Sequence, residues 1–324
     1  MNLDNSSNQS EIFAFVPSYN HAPFVEKCLR SIINQTLTPK KLLVIDDGSK
    51  DGSPQIIERI LKDCQFAAEL KVEKNRGLCA TLNAGFAESG GDFFAYLGSD
   101  DVWFPGFLEK RRALLEKRPN AVLAFGHGLL IDEADRIIDR TEDWTDFADG
   151  DLLPQLLRGQ IFPSASVVYR RSALAKYRWN EDSRLEDYEM YLKLAADGEF
   201  AFDPQLLCAW RQHGSNVSGD FPLMMQEWLE AQNRVADRLK MSRAELAKIQ
   251  TELKFDAVLS YVRHGRRRDG LKLFYENLGG AKSLAHIGKT LFRLAIPAPI
   301  FDWNRRRKRL RTIEKYGKLD LAHD

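Results

Sequence analysis

The sequence predicts an α/β fold, a mostly parallel sheet flanked by helices, and three observations carry that reading. Short apolar runs alternate with helical patterns through the first hundred or so residues. Each of the three clearest runs ends in a polar cluster. The order strand, helix, strand implies right-handed crossovers, and these build parallel sheets.

Taken in order, Ile12-Phe13-Ala14-Phe15-Val16 is an apolar run ended by Pro17 and reads as a buried strand. Phe24, Val25, Cys28, Leu29, Ile32 and Ile33 recur at helical spacing. Leu42 to Ile45 is a second strand, closed by Asp46-Asp47-Gly48-Ser49, and Ile56, Ile57, Ile60 and Leu61 mark a second helix. A third helix over Leu78 to Glu88 follows Asn75-Arg76-Gly77. Phe93 to Leu97 is the next strand, ended by Gly98-Ser99-Asp100-Asp101. Beyond Asn120 the pattern turns irregular, with short strands and loops. Ser166 to Tyr169 reads as a strand and Leu185 to Ala196 as a helix. From Phe221 onward the chain reads as almost wholly helical, with a helical hairpin around Gly265-Arg266-Arg267-Arg268.

Composition narrows the classes. The 324 residues, 44% hydrophobic, suffice for one large α/β domain or two smaller ones. The net charge of +1 gives no pull toward nucleic acid, and no nucleic-acid partner is expected. Cys28, Cys64, Cys79 and Cys208 show no metal or disulfide spacing, which suits a reduced, cytoplasmic protein. The polar start, residues 1–10, reads as a disordered lead rather than a secretory signal. No run of about 18 apolar residues exists, so no membrane-spanning helix is expected. A GxGxxG after the first strand, a GxxxxGK[ST] and an HExxH are all missing, against a dinucleotide dehydrogenase, a P-loop NTPase and a zinc protease.

In a parallel sheet, ligands bind outside the carboxyl ends of the strands. Pro17-Ser18-Tyr19-Asn20, Asp46-Asp47 and Ser99-Asp100-Asp101 would share that edge. Any one cluster would suit a loop or helix cap; three at equivalent positions point to a site. Adjacent carboxylates repel unless a cation relieves them, and hard oxygen ligands suit Mg²⁺ or Mn²⁺.

These strings, with Val44 to Ser53 and Asn75-Arg76-Gly77 between them, resemble in order and spacing the family 2 glycosyltransferases of the GT-A fold. The resemblance covers roughly residues 11 to 220 and is absent from the helical C-terminal region. It implies a Rossmann-like domain over 11–220, with a nucleotide-binding half (11–119) and an acceptor half (120–220); the residue pattern itself adds the helical region (221–324) with its basic tail. It implies inverting transfer from a nucleoside diphosphate sugar, UDP before GDP or dTDP, to a hydroxyl of a glycan or glycolipid. The cofactor would be Mn²⁺ or Mg²⁺, and the setting bacterial surface-polysaccharide or lipopolysaccharide assembly. Pro17 and Tyr19 would line the base, Asp47 would bond its edge, and Arg76 would lie near the nucleotide. Asp101 would be the direct metal ligand and Asp100 would bond the ribose or donor sugar, although Ser-Asp-Asp stands where the family has Asp-x-Asp.

Two further motifs follow from the resemblance. Glu186-Asp187 matches the family's Glu-Asp at the start of a helix, with Asp187 as general base toward the acceptor hydroxyl. Alone, the pair could merely favour a helix N-terminus. Trp210-Arg211-Gln212-His213 matches an Arg-x-His element that closes over the diphosphate, and His213 would ligate the metal or touch the diphosphate. His21 and His127 have no comparable context.

Leu284 to Phe301 is apolar and is followed by a basic cluster. Between Phe301 and Lys318 eight Lys or Arg stand against two acids. This suits either an anionic bilayer surface or a helix packed on the domain with a solvated basic end. Two competing functions remain, a nucleotidyltransferase and a non-catalytic sugar-nucleotide-binding protein. The first would need a Gly-rich basic loop after the first strand, which is missing. The second leaves the intact acidic pair and Glu-Asp motif without a purpose.

Overall fold

A computed structural model describes residues 10–214, 216 and 219–319; the polar lead at 1–9 lies outside them. Strands β1 (Ile12–Ser18), β2 (Lys41–Asp46), β3 (Ala68–Val72) and β4 (Phe93–Tyr96) pair in parallel, with β1 between β2 and β4. Helices α1 (Val25–Ile33), α2 (Ser53–Leu61) and α3 (Leu78–Ala87) are the crossovers. The sheet continues through β9 (Val168–Arg170), β6 (Ala121–Gly126) and β10 (Glu199–Asp203), in the order β10-β6-β9-β4-β1-β2-β3. Strand β9 runs antiparallel to both neighbours, so the sheet is mixed.

Period-two alternation explains why this sheet is buried on both faces. Phe13, Phe15, Leu43, Ile45, Phe94 and Tyr96 enter one core. Their strand neighbours Ile12, Ala14, Val16, Leu42, Val44, Phe93 and Ala95 enter the other. There α1 contributes Val25, Cys28, Leu29 and Ile32, all fully buried. Each such side chain contributes roughly 1.5–3 kcal/mol on leaving water. Pro17, which cannot donate to a ladder, sits on β1 beyond the last β1–β4 pair, Phe15 with Tyr96, and is tolerated there.

A second sheet, β5-β11-β7-β8, stands at the carboxyl edge of the first. It comprises β5 (Val102–Trp103), β7 (Leu129–Asp132), β8 (Ile137–Arg140) and β11 (Cys208–Gln212). Short helices α4 (Phe107–Lys117), α5 (Leu153–Leu157) and α6 (Arg171–Leu174) fill the middle of the chain, and α7 (Asp187–Ala195) follows. The helical region runs α8 (Phe221–Val235), α9 (Arg243–Arg263), α10 (Arg267–Glu276), α11 (Leu284–Ala295) and α12 (Ala298–Tyr316). It meets the rest through α8, where buried Gln232 Nε2 donates to Leu157 O (3.0 Å) and to the Tyr188 hydroxyl (2.8 Å), and through α12, where Lys308 pairs with Asp139 and Arg309 with Asp132. All four cysteines are free, and Cys28, Cys79 and Cys208 are buried. No helix among the described residues is long and apolar enough to cross a membrane.

Candidate active site

Because β1, β2 and β4 are parallel, their polar ends emerge at one edge. After β2, buried Asp46 accepts from Ser49 N (2.8 Å) and from the hydroxyls of Ser49 (2.6 Å) and Ser18 (3.2 Å), which folds the turn. Gly48 has φ +79°, and a Cβ there would lie 2.9 Å from Asn75 N, so only glycine lets this turn approach the 75–77 loop. Asp47 then holds that loop at the start of α3. Its two carboxylate oxygens accept from Arg76 N and Gly77 N, both at 2.8 Å. The Arg76 side chain turns outward to Glu73. Tyr19, next to the end of β1, leaves 46% of its surface exposed, so its ring is free to receive a ligand.

After β4, a Cβ on Gly98 would meet Asp100 Oδ1 at 2.9 Å, so the glycine leaves room for that carboxylate. Asp100 is enclosed by two imidazoles. His213 Nε2 donates to Asp100 Oδ2 at 2.9 Å, and His21 Nδ1 lies 3.7 Å from Asp100 Oδ1 while sharing a 2.8 Å hydrogen bond with Ser99 Oγ. Asn216 fixes His213 by accepting its backbone N–H and donating to Arg211 O at 3.1 Å. One ligand atom from each of His21, Asp100 and His213 lies within 4.8 Å of the others. Ligands on opposite sides of one ion stand about 4.2 Å apart. These three side chains therefore fit a divalent cation with shifts of a few tenths of an ångström.

The sequence reading put the cation on Asp101 and the sugar contact on Asp100; the carboxylate grouped with the imidazoles is Asp100. Asp101 is buried beside it, and its Oδ1 already accepts the backbone N–H of Arg211 at 2.8 Å. Burial first, and then the neighbouring Asp100 charge, push the Asp101 carboxyl well up. Burial also opposes charge on Asp100, but the His213 hydrogen bond and the two imidazole charges outweigh it and hold Asp100 below its usual value. A cation would relieve this shared strain. Arg211, in the element expected to close over the diphosphate, is 1% exposed and built into the fold. Its guanidinium donates to Asp100 O (2.8 Å) and Asp132 O (2.9 Å) and pairs with Asp135 (2.7 Å), tying the second sheet to the acidic turn.

Glu186 precedes α7 and Asp187 is its first residue; the Glu186 side chain makes no capping bond. The Tyr96 hydroxyl, at the end of β4, donates to Glu186 Oε1 at 3.4 Å. Burial pushes both carboxyls up, and the Glu186 charge helps carry Asp187 to about 8. Tyr96 ends β4 and the Asp100-Asp101 turn follows that strand, so the Tyr96 hydrogen bond ties the Glu186-Asp187 pair to the strand that carries the acidic turn. One end of β4 thus leads to a cation-fitting cluster and is hydrogen-bonded to the pair that holds a carboxyl with a raised pKa.

The sequence profile of Glycosyl transferase family 2 matches residues 13–178. This chain belongs to that family. It is similar to an uncharacterized glycosyltransferase of Nostoc sp., 28% identical over 170 residues, 51% of this chain and 52% of that protein. The match thus spans about half the length of that relative. A putative teichuronic acid biosynthesis glycosyltransferase of Bacillus subtilis is 22% identical over 213 residues, 64% of this chain and 82% of that one. Among solved structures, residues 1–349 of S. aureus TarS in complex with UDP-GlcNAc align with TM-score 0.62 at 16% identity, over 95% of this chain and 92% of that one. The mannosyltransferase PcManGT of Pyrobaculum calidifontis, in complex with GDP-Man and Mn²⁺, aligns with TM-score 0.61 at 19% identity, over 95% and 87%. The fold is that of the GT-A glycosyltransferases, as the motifs led one to expect.

Proposed function

We propose that this glycosyltransferase moves a sugar, with inversion, from a nucleoside diphosphate, UDP-linked first, to a hydroxyl of a glycan or glycolipid acceptor. The observation that carries the reading is the Tyr96–Glu186 hydrogen bond, which ties the Glu186-Asp187 pair to the end of β4, the strand that leads into the Asp100-Asp101 turn. Base catalysis and leaving-group stabilisation need to act on one anomeric carbon, and a shared strand end supports both groups serving one site.

The exposed Tyr19 ring, with Pro17, supplies a stacking face for the base, and Asp47 retains lone pairs for its edge. Arg76 borders the same loop. His21, Asp100 and His213 would hold the cation, with Asp101 beside them. Bound there, Mn²⁺ or Mg²⁺ would neutralise charge growing on the departing diphosphate. Asp187 takes the proton from the acceptor hydroxyl as its oxygen attacks the anomeric carbon opposite the leaving group, so the configuration inverts. TarS with UDP-GlcNAc supports a UDP-linked donor, and PcManGT with Mn²⁺ supports the metal. The teichuronic acid relative supports a role in bacterial surface-polysaccharide or lipopolysaccharide assembly. The same reading puts the enzyme on the cytoplasmic side of a membrane, with residues 284–311 against an anionic surface.

Calorimetric titration with UDP, GDP and dTDP in the presence of Mn²⁺ tests the donor. Heat with UDP is expected. Binding of GDP or dTDP without UDP would reject the UDP preference, and silence from all three at millimolar ligand would reject the enzyme class.

A further inference from the structure

Large exposed apolar side chains are unevenly placed in this chain. Of twelve among the described residues, eight lie between Tyr275 and Leu310, in the helical end. On α11, Leu284, Leu291 and Phe292 fall on one side at helical spacing, while Thr290 and Leu294 turn into the protein. On α12, Ile300, Trp303, Arg307 and Leu310 form one stripe at three- and four-residue intervals. Arg307 lies inside that stripe, its guanidinium 5.1 Å from the Trp303 ring centroid.

The same Arg307 opens on a polar cavity of about 370 Å³ between α12 and the turn after β8. Arg311, Lys308 and Lys315 line it too, with Asp143 as the one acid among its lining residues. Lys308 is paired with Asp139 at 2.9 Å. No carboxylate pairs with Arg307, Arg311 or Lys315 among the described residues. A concave site with three uncompensated cations calls for an anion. An apolar stripe along its rim calls for hydrocarbon.

We infer that this cavity receives the phosphate headgroup of an anionic phospholipid, with the Ile300–Trp303–Leu310 stripe entering the acyl boundary beside it. The inference rests on the proposed membrane contact and adds a specific headgroup site to it. A second copy of the chain on this face would set like charges together, whereas an anionic bilayer meets both the charge and the apolar rim.

The test is co-sedimentation of the full chain with vesicles of phosphatidylcholine alone and of phosphatidylcholine mixed with phosphatidylglycerol. Binding should depend on phosphatidylglycerol. Arg307→Ala/Arg311→Ala should weaken it by about 30-fold or more, each cation contributing about fivefold near an anionic surface. Lys289→Ala/Arg306→Ala removes equal charge from exposed positions outside the cavity and should cost a few-fold at most. All four positions are exposed, so both variants should keep the parent thermal midpoint. Equal losses for the two pairs would overturn the headgroup site and leave the membrane contact standing. Absence of binding to either vesicle would overturn the membrane contact itself. Calorimetric binding of inorganic phosphate that needs Arg307 and Arg311, with vesicle binding unchanged in the Arg307→Ala/Arg311→Ala variant, would assign the cavity to a free anion and overturn the lipid as its ligand.

Discussion

Asp187 holds its carboxyl where charge is costly, beside Glu186 and away from bulk water. A raised pKa keeps the proton on the acid form until the pH climbs through it, and only the deprotonated form can accept the acceptor's proton. Turnover should therefore rise with pH to a midpoint near 8, and the kcat–pH profile should lose that limb in Asp187→Asn. A limb in the ordinary carboxylate range near 4 would assign the titration elsewhere. His21 carries a second expectation. If its imidazole holds the cation with Asp100 and His213, His21→Ala should weaken Mn²⁺ binding by about tenfold or more, read by EPR of free Mn²⁺ without any donor. The acids of this site were legible because they stand in short strings at strand ends. His21 was not: it lies three residues past β1, and only folding brings it to Ser99 and Asp100, seventy-eight and seventy-nine positions on. Arg211 was seen within its motif without a role of its own, because no sequence pattern distinguishes a guanidinium aimed at a ligand from one consumed by Asp100 O, Asp132 O and Asp135.

The elements that were plain in the sequence are those with strong periodicity or full burial. Strands β1, β2 and β4 and helices α1, α2 and α3 fall within a few residues of the expected bounds. Strand β3, Ala-Glu-Leu-Lys-Val, was not recognised, because at the partly buried sheet edge it alternates apolar and charged residues and lacks the continuous apolar run that marks β1, β2 and β4. Strand β9 is three residues long, and the expected strand from Ser166 begins instead as a 3-10 turn over Ser164–Ser166. Its antiparallel pairing comes from tertiary contacts that a local pattern does not encode. Helix α3 shows how tightly these elements meet. A Cβ on Gly85 would lie 2.4 Å from ring atoms of Phe15 on β1. Gly85→Ala should thus destabilise by about 1–3 kcal/mol, despite alanine's better helix propensity, because the buried ring has no free space to enter. Urea unfolding would measure it, and a gain in stability would show that β1 and α3 separate easily.

At the scale of the whole molecule, one sheet edge gathers residues from distant parts of the chain, and two structures outside that sheet hold them in place. The second sheet brings Arg211 and His213 to the Asp100-Asp101 turn. Helix α8 fixes α7, and hence Asp187, through the buried Gln232–Tyr188 bond and the Arg234–Glu189 ion pair at 2.7 Å. The proposed base and the proposed donor site therefore rest on separate supports and should be separable by mutation. The most direct measurement is donor affinity and turnover, determined side by side, for Asp187→Asn and Asp101→Asn. Asp187→Asn keeps size and polarity but cannot take the acceptor's proton. Its turnover should fall about 10²-fold or more while donor affinity in Mn²⁺ stays at the parent value. Asp101→Asn alters the acidic turn and should lose both. Near-normal turnover in Asp187→Asn, or equal loss of donor affinity in the two variants, would contradict the assignment of Asp187 as the base that activates the acceptor.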